Sequence, residues 1–193
     1  MDDKKAELFR CGKELFATRG FKDTNIADIT KMAGVSVGTF YNYYSSKEKL
    51  FMEIFLEENV KLKKRMMESA DFTGSPIDIV KRMLALNMEG IKKDPILRQW
   101  YNRDVFAKIE RLYREENGAG AMDFFYGDTT KAIQMWQDEG KMRKDIPGEM
   151  IMALFMAIIN IDLHKDEIGL QYFPKVQDYL TEFVMKGLMD VDR

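Results

Sequence analysis

Apolar residues recur three and four positions apart along nearly the whole chain, without the period-two alternation of half-buried strands, so the pattern predicts helices throughout. Lys4 to Arg19 forms the first, with Leu8, Gly12, Leu15 and Phe16 on one face. Gly20 ends it, and Phe21 folds back as the hydrophobic contact of a C-cap. Ile26, Ile29 and Ala33 keep the helical spacing, and Thr24 is placed to cap the free amides that open this second helix. Gly34 breaks it where a left-handed residue is needed, and Val35 returns to the core. Ser36 is the expected N-cap of a third helix, Val37 to about Tyr43. Two short helices joined by a tight turn containing Gly make a helix-turn-helix.

Ser45-Ser46-Lys47-Glu48 reads as a capping box that opens a long helix, residues 46–69. Leu50, Phe51, Ile54 and Phe55 fasten its start to the preceding helices. Leu62 and Met66 follow, flanked by Lys61, Lys63, Lys64 and Arg65, which read as a charged face. Asp71 to Pro76 is a connector, with Ser75 capping and Pro76 at the first helical position. Further helices are expected over Pro76–Lys93, Ile96–Asn102, Arg103–Glu116, Ala121–Glu139, Glu149–His164 and Pro174–Met189. The last should bury Val176, Leu180, Phe183, Val184, Gly187 and Leu188. The expected fold is all-α, about nine to ten helices, with a three-helix head over 1–49 and a helical body over 50–193.

With 46% hydrophobic residues in 193, such a chain can bury a sizeable core. One Cys excludes a disulfide framework and a thiolate metal site. Cys11 reads as a buried structural thiol, since no His stands near it in sequence. The start, MDDKKAELFR, is charged, and the longest apolar run, Met150 to Ile159, is too short to span a membrane. A cytoplasmic protein without membrane association follows as the expectation. The net charge of −2 is uneven: residues 1–49 hold nine Lys and Arg against seven Asp and Glu, and the remainder 21 against 25. A basic bias this weak means that any affinity for DNA rests on placement and dimerisation more than on bulk charge.

The third helix carries the chemistry. Phe40 and Tyr44 anchor it, while Val37, Gly38, Thr39, Tyr41, Asn42 and Tyr43 form a face without acidic side chains. Small residues at its start permit close approach to a duplex, and Thr, Tyr and Asn hydrogen-bond phosphates or base edges. Lys47 follows, placed to neutralise one more phosphate.

Gly20-Phe21, Thr24, Asp28-Ile29, Ala33-Gly34-Val35-Ser36, Gly38-Thr39-Phe40-Tyr41, Tyr44, Ser46-Lys47-Glu48 and Leu50-Phe51 together resemble the DNA-binding domain of TetR/AcrR-type regulators. The resemblance covers about the first fifty residues; beyond them only length and helical pattern agree. It implies DNA contacts from Thr24, Ser36, Val37, Gly38, Thr39, Tyr41, Asn42, Tyr43 and Lys47. One departure is Asn25-Ile26-Ala27, where the family often carries polar residues able to touch DNA.

The run Met150 to Ile159 is apolar all round, more than a helix on a monomer surface tolerates. Ile151, Leu154, Phe155 and Ile158 can face the domain's own core, leaving Met152, Met156 and Ile159 for a second partner. With Phe183, Val184 and Leu188 of the last helix they are the candidate interface of a homodimer, a two-fold four-helix arrangement that the resemblance also implies. The middle of the chain interleaves aromatics and polar groups. Asn87, Trp100, Tyr101, Phe106, Tyr113, Phe125, Tyr126 and Trp136 are the candidate lining of a small-molecule pocket.

No G-x-S-x-G, P-loop or H-E-x-x-H motif is present, and Asp162, His164 and Asp166 point apart on a helix. The reading is therefore a homodimeric regulator, not an enzyme. It represses from a palindromic double-stranded DNA operator, is released by an unknown small effector, and needs no cofactor or metal. Its recognition helices should stand ~34–36 Å apart, one turn of B-DNA. The alternatives are a DNA-binding protein whose body takes a protein partner instead, and, remotely, a helical intracellular enzyme.

Overall fold

The computed structural model describes residues 3–102, 104–105, 112 and 123–191. Among them it contains nine α-helices, three short 3-10 turns and no strand, the all-α fold the periodicity predicts. The helices are α1 Asp3–Arg19, α2 Ile26–Met32, α3 Val37–Tyr41, α4 Lys47–Glu68, α5 Pro76–Lys93, α6 Asp123–Asp138, α7 Gly148–Asn160, α8 Lys165–Ile168 and α9 Lys175–Met189. The helix expected over Arg103–Glu116 and the break at Gly118 lie outside the described residues, apart from 104, 105 and 112.

The chain folds as two compact units, Met1–Leu62 with Glu89–Ala121, and Lys63–Met88 with Met122–Arg193. Packing thus groups residues differently from the expected 1–49 and 50–193 division, because the first four turns of α4 belong to the first unit's core.

That core is aromatic and full. Leu8, Cys11, Phe16, Ile29, Phe40, Leu50, Phe51 and Ile54 are wholly buried, and Phe51 meets Phe16 and Phe21 edge-on at 5.2 and 5.0 Å between ring centroids. Helices α1 and α4 approach so closely that a Cβ on Gly12 would sit 2.7 Å from Leu50 Cδ2, which is why a helix interior spends a glycine there.

The second unit is organised on α7, against which α6 and α9 both pack. Ile133, Trp136, Met142, Ile151, Phe155, Met185 and Leu188 form its core. The turn after α6 is held by Gln137, whose buried amide donates to Arg143 O and Ile146 O at 2.9 Å each.

Two sequence expectations shift here. The C-terminal end of Glu149–His164 is not α-helical: α7 stops at Asn160 and a 3-10 turn follows to His164, then α8 and a further turn that the periodicity did not suggest. Helix α9 is also turned. It buries Gln177, Thr181, Met185 and Leu188, while Phe183 and Gly187 face outward. Gln177 donates to Ile158 O at 3.1 Å and Thr181 to Gln177 O at 2.8 Å, so the polar pair is satisfied inside. Leu188, at 2% exposure, is a core residue of its own unit and is withdrawn from the candidate interface.

Candidate nucleic-acid interface

The helix-turn-helix builds as its residues dictate, with small corrections at the caps. Asn25, not Thr24, caps α2: its Oδ1 accepts from Asp28 N–H at 2.8 Å. Thr24 is buried instead, its hydroxyl donating to Gly20 O at 2.8 Å and closing the end of α1. Gly34 adopts φ +65°, the left-handed conformation that ends α2, and Val35 N–H bonds back to Thr30 O at 3.0 Å. Ser36 caps α3, its Oγ accepting from Thr39 N–H at 3.1 Å and lying 2.9 Å from Thr39 Oγ1. Ser46 rather than Ser45 caps α4, accepting from Lys49 N–H at 3.2 Å. α3 ends at Tyr41, with Asn42 as its C-cap.

Phe40 is the anchor of α3, fully buried and flanked by Tyr44 at 5.7 Å. Everything opposite it is presented. Val37 is 45% exposed and Tyr41 55%, its ring braced edge-on against Phe40 at 5.6 Å. Ser36, Gly38 and Asn42 are exposed; Thr39 and Tyr43 are half-buried. The fold has no need of glycine at position 38, since a Cβ there would meet only Ser36 Oγ, at 3.7 Å. Its effect is to lower the outer surface of α3. No Asp or Glu stands between Asp28 and Glu48, so the face carries no fixed negative charge of its own.

Lys47 is more constrained than a phosphate-seeking side chain on a surface. Its ammonium donates to Phe21 O and Thr24 O at 2.8 Å each and lies 4.3 Å from the Phe21 ring centroid. Two of its three N–H bonds therefore tie the start of α4 to the α1–α2 loop.

A cavity of about 60 Å³ lies wholly within the second unit. Of the pocket residues expected from sequence, Asn87, Phe125 and Trp136 line it; Tyr101 and Tyr126 do not. Phe106, Tyr113 and the side chain of Trp100 lie outside the described residues. Met152, Met156 and Ile159, expected at a dimer interface, also line this cavity. Lys63 was missed altogether. It is 9% exposed, and its Nζ donates to Asn87 Oδ1 at 2.7 Å and stands 4.9 Å from the Phe125 centroid. Burial pulls its ammonium down to about 8. One signal was legible: Lys63 shares a helix face with Met66, three residues on, in a run otherwise charged.

The surface beside α7 and α9 holds a second unpaired feature. On α9, Tyr179 and Phe183 are 56% and 64% exposed and stack at 6.0 Å. On α7, Met150 is 55% exposed, with Ala153 and Ala157 exposed along the same side. His164 is exposed too and bonds Glu167 at 3.1 Å. Among the described residues no helix is long and apolar enough to cross a membrane.

A left-handed turn between two capped helices, an anchored α3 and an acid-free outer face define a helix-turn-helix DNA-binding protein. The model for bacterial regulatory proteins of the tetR family matches residues 7–54. The HTH-type transcriptional repressor KstR2 of Mycolicibacterium smegmatis is 28% identical over 195 residues, 93% of this chain and 91% of that one. The uncharacterised HTH-type regulator YfiR of Bacillus subtilis is 23% identical over 179 residues, covering 86% and 83%. The solved structure of RolR with its ligand resorcinol aligns over 98% of this chain and 88% of RolR with a TM-score of 0.66 at 15% identity, a likeness of fold. Residues 7–54 thus match the tetR-family DNA-binding region, and the relatives that align with nearly the whole chain are helix-turn-helix transcriptional regulators. Its relatives are regulators and not enzymes.

Proposed function

We propose that this protein is a homodimeric repressor that holds a palindromic operator through two α3 helices and releases it when a small molecule enters the cavity of the second unit. The single observation that carries the DNA reading is the outer face of α3. Val37, Gly38, Thr39, Tyr41, Asn42 and Tyr43 are offered to solvent on an element fixed from behind by Phe40. Thr39 and Tyr43 read bases; Tyr41, Ser36 and Asn42 bond phosphates; Lys47 contributes its charge, and Thr24 acts by holding the loop beneath it. The protein works where the operator is, in the cytoplasm.

The dimer reading is supported by the turned face of α9. A helix that buries Gln177 and Thr181 while exposing Tyr179 and Phe183 is arranged for a second apolar partner. A second copy is the partner whose symmetry matches a palindrome. The interface then consists of Met150, Ala153, Ala157, Tyr179 and Phe183, with Val184 beside them, and not of the residues turned to the cavity. Phe183→Glu should shift the protein from dimer to monomer in sedimentation; a dimer unaffected by it would move the interface elsewhere.

RolR, of the same fold, is a ligand-binding example, and the cavity here supports the same role. A ligand touching Lys63 and Met66 on α4 would bias the orientation of that helix. Coupling of about 1–3 kcal/mol suffices for a useful induction ratio. Selection of binding sites from random duplex DNA at moderate salt tests the reading. A two-fold symmetric consensus is expected, and enrichment of a single asymmetric half-site, or of nothing, would count against it.

A further inference from the structure

The unit that presents α3 is short of uncompensated positive charge, and that sets the kind of nucleic acid it fits. Residues 32–46, from the end of α2 to the residue before α4, contain no charged side chain. Lys31 and Lys47 flank that run, and Lys47 donates to Phe21 O and Thr24 O at 2.8 Å each. Most other cations of the head stand against carboxylates of the same unit. Lys5 meets Glu53 at 3.0 Å, Arg10 meets Glu7 at 2.6 Å and Glu14 at 3.3 Å, and Lys13 meets Glu58 at 2.5 Å. Arg19 meets Asp28 at 3.3 Å, and Lys22 pairs with Asp104. The Arg19 pair is placed where charge would count, because Asp28 opens α2, and the first helix of such a motif crosses the phosphate backbone.

Surface pairs of this kind are individually weak, and a phosphate can take the cation from its partner. The carboxylate left behind then gathers a cation of its own, so the exchange releases no net counterion. Counterion release is what drives charge-based association with DNA, so the net charge of a head decides, not its number of Lys and Arg. Residues 1–49 hold nine Lys and Arg against seven Asp and Glu, a surplus of two. Resting on the reading of α3 as a recognition helix, we infer that this head fits one partner, a duplex of defined sequence. It reads that duplex through neutral hydrogen bonds and groove fit, and it holds random DNA and other polyanions weakly. Its selectivity comes from a small sequence-independent term as much as from its base contacts.

The test is the salt dependence of binding by the full-length protein, with the selected duplex, a scrambled duplex and heparin as probes. A surplus of two charges on each of two heads gives a slope of log affinity against log salt of about −4 or shallower. That is a loss of no more than about a hundredfold between about 50 and 200 mM salt. Heparin in excess should leave the selected complex intact. Asp28→Asn removes the partner of Arg19 and should steepen the slope by about 2, one charge per head, while tightening the scrambled duplex. Glu53→Gln, which releases Lys5 beside the Tyr44 ring, makes the same comparison should the first variant fail to fold. A wild-type slope steeper than about −4, displacement by heparin, or a slope unmoved by either substitution would overturn the inference and leave the DNA reading standing. Binding of neither duplex at any salt concentration would overturn both.

Discussion

The two units use their interiors in opposite ways. The first is filled: Phe16, Phe40, Leu50, Phe51 and Ile54 leave no exposure, and even the closest helix approach is met by a glycine rather than a gap. The second keeps an open space beside Trp136 and Phe155 and a buried amine that pairs with an amide instead of an acid. A surface that must present α3 in one register gains from dense packing, which transmits no slack. The guest proposed for the second unit would use the volume that its core leaves unfilled. In the first unit the side chains are chosen for fit; in the second, some are chosen against it.

The comparison breaks most visibly on aromatic truncation. Phe51→Ala should cost about 3–5 kcal/mol in chemical denaturation and abolish DNA binding with it, because three rings lose their common neighbour. Met156→Ala, at a wall that already borders a void, should cost less than about 2 kcal/mol. Equal losses at the two sites would mean that the second unit is packed as tightly as the first.

Lys63→Met should do the reverse and stabilise the protein, by about 3 kcal/mol near neutral pH. Folding lowers the Lys63 ammonium from 10.5 to about 8, so the unfolded chain binds the extra proton between those values. The penalty is fully present below about pH 8 and is relieved as pH rises toward 10.5, so the gap between variant and wild type should close across that window. A gap independent of pH would mean that Lys63 is paired after all.

Lys47→Ala is smaller again. Losing two charge-assisted bonds to Phe21 O and Thr24 O should destabilise the first unit by about 2 kcal/mol. Operator affinity should fall further than that loss of folded protein accounts for. Destabilisation with unchanged affinity of the folded fraction would make Lys47 a staple only.

Much of the first unit was legible in the sequence because its signals are local. Gly34, Ser36 and the spacing of Ile29, Phe40 and Leu50 each state their own geometry. The errors there are one-residue ones: Thr24 and Asn25, or Ser45 and Ser46, are neighbours able to cap, and only the backbone conformation chooses between them. The second unit hid more. Hydrophobic periodicity in α9 pointed to the Phe183 face, yet the buried face is the one on which Gln177 and Thr181 find backbone acceptors, and such bonds leave no trace in a pattern. Lys63 was lost for the same reason. Among Lys61, Lys64 and Arg65 its charge looked like surface, and only packing shows that one member of the run turns inside.

The central claim is that the outer face of α3 reads DNA, and Tyr41 tests it most directly, being 55% exposed and dispensable to the core. The measurement is the affinity of wild type and Tyr41→Ala for the selected duplex, by fluorescence anisotropy at one fixed salt concentration. The account predicts a loss of about tenfold, on the order of one hydrogen-bonded contact per half-site, with helicity, melting and dimerisation unchanged. Affinity equal to wild type in an equally folded protein would contradict it and place the DNA contact on another face.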